Sequence, residues 1–281
     1  MKFRCSWQNV CGFDEQAEKE GPRSLFFDET PFWLRTPVFF FYQPIVSLET
    51  GRICSVEALV RSGDRNDKPV VPASLLNRLY YCEREKIVDF DKFVLAKNLE
   101  FLAFIHESGL KIRISINVSG VLFLEKYGDP LSFIKAKLLQ LGAPELIQFV
   151  DLEIVEWMEF EITELVMERT QACRDAGIGV CLDDAGTGSV GLDTFVSLPF
   201  TCLKIDRVFV QKMPIEEKAF YIVKGFTETA KSLNIRVVAE GVETAQQVKI
   251  LREIGVEFAQ GYYFYRPMSG DELLSKRQFK M

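Results

Sequence analysis

Histidine is nearly absent from this chain: its 281 residues include one, His106, within the helix-like stretch LEFLAFIHESG. A single imidazole cannot build a histidine-rich zinc site, so any metal chemistry must run on oxygen ligands. Paired cysteines are absent as well. The seven cysteines include no CxxC, and Cys54, Cys173, Cys181 and Cys202 fall in or beside apolar strand-like runs. Free thiols in such places pack as small hydrophobes. Long apolar runs are also missing: the longest, PVFFFYQPIV at 37–46, is far short of the roughly 20 residues of a spanning helix and is rich in strand formers. It reads as a buried strand, and no membrane association is expected. The opening MKFRCSWQNVCGFDEQ lacks the apolar core of a signal peptide, so a cytoplasmic location is expected. Nor is there an excess of positive charge. With 34 Lys and Arg against 40 Asp and Glu, net −6, a surface for DNA or RNA polymers is disfavoured. A phosphodiester held through bound cations is still compatible with this balance.

The composition, 48% hydrophobic and 26% charged, is that of a globular protein with one large domain or two small ones. Eight strand-like runs follow one another: FFFYQPIV, ICSVEALV, KIRISINV, IQFVDLEIV, GVCLDDAG, TCLKIDRV, RVVAEGV and EFAQGYYF. Between most of them lie amphipathic stretches such as LLNRLYYCEREKIVDFDKFVLAKNLEFLAFI and EEKAFYIVKGFTETAKSLN, with helical period. Alternation of this kind predicts parallel βαβ units and an α/β fold, a modified TIM (β/α)8 barrel. The first two runs are joined only by SLETGR, short enough for a hairpin, so the barrel is expected to begin with an antiparallel strand. No Pro/Gly/Ser-rich linker breaks residues 37–281, which are read as one barrel domain. Residues 1–36 are polar, with DEQAEKEGPR in their middle. They read as an N-terminal extension or linker remnant, the alternative being a small regulatory segment packed on the barrel.

Alternate residues of a barrel strand face the helices and the interior in turn. In ISINV, Ile112, Ile114 and Ile116 share one face, leaving Ser115 and Asn117 on the other. The same phase sets Glu153 against Val150, Leu152 and Ile154, Asp183 against Val180 and Leu182, and Lys204 against Leu203 and Ile205. Four strands therefore end by pointing a polar or charged group inward. A ring of Glu57, Asn117, Glu153, Asp183, Asp184 and Glu240 around one amine, Lys204, is too acidic to stay unpaired in a barrel mouth. Divalent cations that prefer oxygen, Mg²⁺ or Mn²⁺, would resolve it. Two such ions sharing an Asp can clamp a phosphodiester and activate a water.

Six strings in order carry a resemblance: EAL at 57–59, NVS at 117–119, LDDAGTG at 182–188, LKID at 203–206, AEGVET at 239–244 and QGYYFYRP at 260–267. Over about residues 37–270 the chain resembles the EAL-domain cyclic di-GMP phosphodiesterases. The resemblance implies a modified TIM barrel, two Mg²⁺ or Mn²⁺ ions per site, and opening of cyclic di-GMP to linear pGpG. It further implies that Glu57, Asn117, Glu153 and Asp183 surround the first ion. Asp183 would bridge to the second with Asp184 beside it, and Glu240 and Gln260 would complete the shell. Lys204 would orient or help deprotonate the attacking water, Gln43 and Arg61 would contact the dinucleotide, Glu156 would tether the loop after the Asp pair, and Glu243 would stand one layer behind.

The pattern Glu-Ile-x-Glu occurs twice, at Glu153–Glu156 and Glu161–Glu164. In the family the metal-binding Glu precedes the Asp pair by about thirty residues, one helix plus a strand. From Glu153 to Asp183 the separation is 183 − 153 = 30, whereas from Glu161 it is 22. The second copy also shows helical spacing, with Glu161, Glu164 and Glu168 on one polar face. Glu153 is therefore assigned to the metal. One departure stands out: where the family usually reads DDFGTGYSSL, this chain reads DDAGTGSVGL, so Ala185 and Ser189 replace two aromatics. That loop helps place the second ion and in many members forms a homodimer contact, so lowered or regulated turnover is expected. Alternatives to the hydrolase are a catalytically weak or inactive domain serving as a cyclic di-GMP receptor or protein-interaction module, and a barrel enzyme acting on another phosphodiester.

Overall fold

The computed structural model describes residues 38–62, 84–124, 129–155, 163–185 and 196–275. Eight strands close into one barrel in chain order. They are β1 (Val38–Ser47), β2 (Ile53–Ser62), β3 (Arg113–Ser119), β4 (Val150–Val155), β5 (Gly179–Ala185), β6 (Cys202–Ile205), β7 (Arg236–Ala239) and β8 (Phe258–Ala259). β1 runs antiparallel to both neighbours, β2 and β8, while β2 to β8 pair in parallel. The antiparallel start follows from the short link after Ser47: Gly51 takes φ 71°, and its N–H closes the turn on the Ser47 carbonyl at 2.8 Å. All eight strand-like runs become strands, several shorter than their sequence pattern. In TCLKIDRV the strand stops at Ile205 because Asp206 caps the next helix, accepting from Val208 N at 2.6 Å. PELIQF, ahead of β4, coils into a 3₁₀ turn.

Helices α1 (Arg84–Glu107), α2 (Pro130–Gln140), α3 (Glu164–Asp175), α4 (Arg207–Lys212), α5 (Glu217–Ser232), α6 (Ala245–Ile254) and α7 (Gly270–Ser275) are described. In α1 the buried positions Val88, Asp91, Leu95, Leu99, Leu102 and Ile105 recur at three- and four-residue steps, the stripe that a helix lays on a barrel wall. Two core clusters separate the strand faces. One joins Ile114, Ile116, Leu152, Ile154, Val180, Leu182, Leu203 and Val237 to the helices. The other is small and comprises Ile45, Cys181, Cys202 and Val238, with Phe258 packed against them. The second set has the opposite strand phase and faces the barrel interior.

His106, the single histidine, is structural. Its Nε2 lies 2.9 Å from the Ile112 carbonyl and its ring sits edge-on to Phe149, with centroids 4.3 Å apart. Burial pushes its pKa down, keeping the ring neutral. Cys173, Cys181 and Cys202 are buried and Cys54 half-buried, all as free thiols. Among the described residues no helix is long and apolar enough to cross a membrane.

Candidate active site

At the C-terminal ends of the strands the interior phase turns polar. β2 supplies Glu57, β3 Asn117, β4 Glu153, β5 Asp183, β6 Lys204, and the residue after β7 is Glu240. Lys204 is 1% exposed although it carries a full ammonium. Its Nζ lies 2.6 Å from Glu240 Oε1, 3.0 Å from Glu153 Oε2, 3.1 Å from Asp183 Oδ1 and 3.6 Å from Glu57 Oε2. Four carboxylates from separate parts of the chain thus converge on one cation. Burial acts against the Lys204 charge, but those four neighbours outweigh it and hold its pKa well above the ordinary lysine value.

The carboxylates divide according to what else they meet. Glu57 accepts from Gln260 Nε2 at 2.6 Å and from Asn117 Nδ2 at 3.2 Å. Burial works against its charge, yet Lys204 and these two amides together lower its pKa. Glu153, fully buried, has no such amides. Burial, reinforced by Glu57, Asp183 and Glu240, drives its pKa well above the carboxylate range despite Lys204. Glu240 is pushed up to about 8, first by burial and then by Asp183 and Glu57.

Asp184 needs a backbone explanation. Strict alternation would turn it away from Asp183. Instead β5 bulges: Leu182 pairs with Leu203 and Ala185 with Ile205, leaving Asp183 and Asp184 opposite Lys204 alone. Asp184 takes φ 51°, a left-handed conformation that Asp tolerates better than most residues. The bulge brings ligand oxygens of Asp183, Asp184 and Glu240 within 4.8 Å of one another. Burial, then the charges of Asp183 and Glu240 and a hydrogen bond with Asp206, raise the Asp184 pKa to about 9.

This cluster suits a divalent cation on its own chemistry. Every candidate ligand atom is an oxygen, and Glu153 Oε1 and Gln260 Oε1 are buried without a hydrogen-bond partner among the described residues, while Asp183 Oδ1 meets only the Lys204 ammonium at 3.1 Å. Orphaned buried acceptors are costly unless something positive meets them. A cation there would also reverse the upward pKa shifts.

A cavity of about 220 Å³ opens over the cluster, with Gln43, Arg61, Glu243 and Gln260 on its walls. Gln43 Nε2 donates to the Tyr265 carbonyl at 3.4 Å, and Arg61 Nη1 to the Val60 carbonyl at 2.8 Å. Glu243 is exposed at the rim, where Gln211 Nε2 donates to it at 3.3 Å, and it does not touch Lys204. Glu156, Glu161 and Ser189 lie outside the described residues; Glu164 and Glu168 are exposed on α3, as a solvated acidic face requires. Ala185 is buried against β6. Sequence reading gave no role to Asp206, Arg207 or Tyr262, which also line the mouth. Asp206 was visible within LKID, and Tyr262 within QGYYFYRP. Tyr262 is half exposed, with the Arg266 guanidinium 4.2 Å from its ring centre.

Comparison with known proteins agrees with this architecture. The family model described as EAL domain matches residues 35–267. The chain is 34% identical over 233 residues to Oxygen sensor protein DosP of Escherichia coli, covering 83% of this chain and 28% of that protein. It is 30% identical over 249 residues to Cyclic di-GMP phosphodiesterase RocR of Pseudomonas aeruginosa, covering 83% of this chain and 58% of that protein. Among solved structures, "PaMucR Phosphodiesterase, c-di-GMP complex" superposes with a TM-score of 0.75 at 26% identity, covering 87% of this chain and 97% of that one. The chain spans under a third of the DosP length and rather more than half of RocR. With the model match running through nearly the whole barrel, the chain belongs to the EAL domain family.

Proposed function

We propose that this chain hydrolyses cyclic di-GMP to linear pGpG, with two Mg²⁺ or Mn²⁺ ions held at the mouth by Glu57, Asn117, Glu153, Asp183, Asp184 and Glu240. The observation that carries the proposal is Lys204 Nζ at 2.6–3.6 Å from four carboxylates, in a cluster where Glu153 Oε1 and Gln260 Oε1 are buried without a hydrogen-bond partner among the described residues. When bound, the ions would supply Lewis acidity, lowering the pKa of a water and offsetting phosphodiester charge. Everything else falls to the chain's own groups. Without ions the four neighbouring carboxylates hold Lys204 protonated; with ions on those carboxylates it orients the attacking water or helps to deprotonate it. Gln260 and Asn117 hold Glu57 ionised and in place as a ligand. Arg61 offers a fork of donors to a phosphate oxygen or guanine edge, and Gln43 a second contact beside it. Glu156 and Glu243 are assigned to loop support. The catalytic unit is taken as 37–281 with 1–36 as an extension, in the cytoplasm, and pairing into a homodimer is part of the same reading.

The test is incubation of the purified protein with cyclic di-GMP and Mn²⁺, with an EDTA control, following products by chromatography beside a binding titration. Metal-dependent pGpG is the expected result. Tight binding without product would replace the hydrolase by a receptor, with Ala185 and Ser189 the first positions to restore, and neither binding nor product would overturn both.

A further inference from the structure

The strand phase that builds the mouth continues to the other end of the barrel. Below Asn117 on β3 stand Ser115 and Arg113; below Glu153 on β4 stands Asp151; below Glu240, β7 carries Val238 and Arg236. Asp151 is buried and accepts from Arg113 Nε at 2.9 Å, Arg113 Nη2 at 2.6 Å and Arg236 Nη2 at 2.9 Å. Gly179 makes room for this trio: a Cβ there would sit 1.8 Å from Asp151 Oδ1. Arg113 is used up, since Nη1 donates to the Gln148 carbonyl and Nη2 also to that of Val150. Arg236 is not. Its guanidinium makes one hydrogen bond among the described residues, to Asp151, and leaves the other edge of its fork open. Arg174, exposed at the end of α3, has no partner among them.

Between these arginines and the underside of Lys204 and Glu153 lies a cavity of about 470 Å³, within the size range of small-molecule sites. Ser55 and Ser115 line it, 7% and 3% exposed, and neither hydroxyl has a hydrogen-bond partner among the described residues. Ile45, Val238 and Phe258 form an apolar side. A cluster that only stabilises the barrel base would close its donors on its acceptors. Here one guanidinium edge and two buried hydroxyls remain open towards a shared space. Of the charged residues that line it, Lys204 and Glu153 offset one another, and Arg113, Arg174 and Arg236 against Asp151 leave a surplus of 3 − 1 = 2 positive charges.

We infer that this basal cavity is a second ligand site, separate from the mouth, that takes a nucleotide-sized phosphate monoester. The phosphate, near −2 at neutral pH, meets Arg236 and Arg174, whose forks suit its geometry. A flat base lies along Phe258 and Ile45. The inference does not depend on the proposed hydrolysis, because Arg174, Arg236, Ser55 and Ser115 take no part in the mouth.

The experiment is calorimetric titration of the full chain with GMP, inorganic phosphate, guanosine and succinate, in EDTA, with and without saturating cyclic di-GMP. Saturable binding of GMP, weaker binding of phosphate and none of guanosine or succinate is expected, unchanged by cyclic di-GMP. Arg174→Glu, at an exposed position, and Arg236→Gln should each weaken GMP about tenfold or more, the loss of a charge-assisted contact. If Arg236→Gln melts early, the decision rests on Arg174→Glu. Failure of GMP and phosphate to bind, binding displaced by cyclic di-GMP, or GMP affinity unaltered in Arg174→Glu would each overturn the inference, as would succinate binding in place of phosphate. A chain that fails to turn over cyclic di-GMP yet binds GMP in this Arg174-dependent way would sink the proposed function alone.

Discussion

Metal-free protein should lose stability as pH rises from about 5 to about 8, and a divalent cation should restore it. The sign follows from Glu240 and Asp184, whose folded pKa values are raised from 4.5 to about 8 and from 3.8 to about 9. Below the lower values both folded and unfolded chains hold these protons, so no penalty is felt. As pH climbs towards the raised values the unfolded chain ionises and the folded one does not, so the unfolded state gains. For Glu240 alone, (8 − 4.5) × 1.36 sets an upper figure of about 5 kcal/mol. Glu240 is itself one of the charges that raise Asp184, so their contributions do not add. Glu57, with its lowered pKa, acts in the opposite sense at acid pH: the stability it contributes is present above 4.5 and lost below. A net loss of about 2–5 kcal/mol across the window corresponds to a fall of roughly 5–15 °C in melting temperature. The assay is thermal unfolding in EDTA at half-unit steps from pH 5 to 8.5, repeated with Mn²⁺. Because a cation binds ionised carboxylates of the folded state, its stabilisation should be larger at pH 8 than at pH 5. Glu240→Gln removes one titrating group and should flatten the slope. A melting temperature that is level or rising in EDTA over this range, or a slope identical in Glu240→Gln, would refute the reasoning.

Lys204→Met should reduce cyclic di-GMP turnover by about 10³-fold, within the range for a positioned proton donor, while circular dichroism in Mn²⁺ stays native; normal rates would remove Lys204 from the chemistry. Arg61→Lys keeps the charge but loses the fork, so KM for cyclic di-GMP should rise about tenfold with kcat little changed, a loss of roughly 1.4 kcal/mol; steady-state kinetics separate the two. Gly179→Ala should cost about 3–5 kcal/mol in denaturant unfolding, because its Cβ would displace Asp151 from two arginines and leave buried charge unpaired; a cost under 1 kcal/mol would mean that the basal cluster can rearrange freely.

What could be read from sequence depended on how far each local rule extends. Strand and helix identities were legible because period-two and period-3.6 patterns are local, and the hairpin because SLETGR leaves no room for a crossover helix. The mouth was legible for the same reason: Asn117, Glu153, Asp183 and Lys204 all stand out of phase with neighbours that pack outward. Asp184 obeys no such rule. Its place depends on a bulge between Leu182 and Ala185, and only the DD string pointed to it. The basal cluster shares that phase, since Arg113 and Asp151 alternate with the same isoleucines and leucines that locate Asn117 and Glu153, yet its role is not legible from the pattern. Charges at strand starts are ordinarily solvated flanks, and nothing local says that Asp151 will meet Arg236 across 85 residues. Barrel closure decides that meeting, because it brings the N-terminal ends of parallel strands into one ring as surely as it does the C-terminal ends. An inward charge at either end of such a strand is therefore informative, and its partner should be sought at the same height on the strands beside it rather than nearby in the chain.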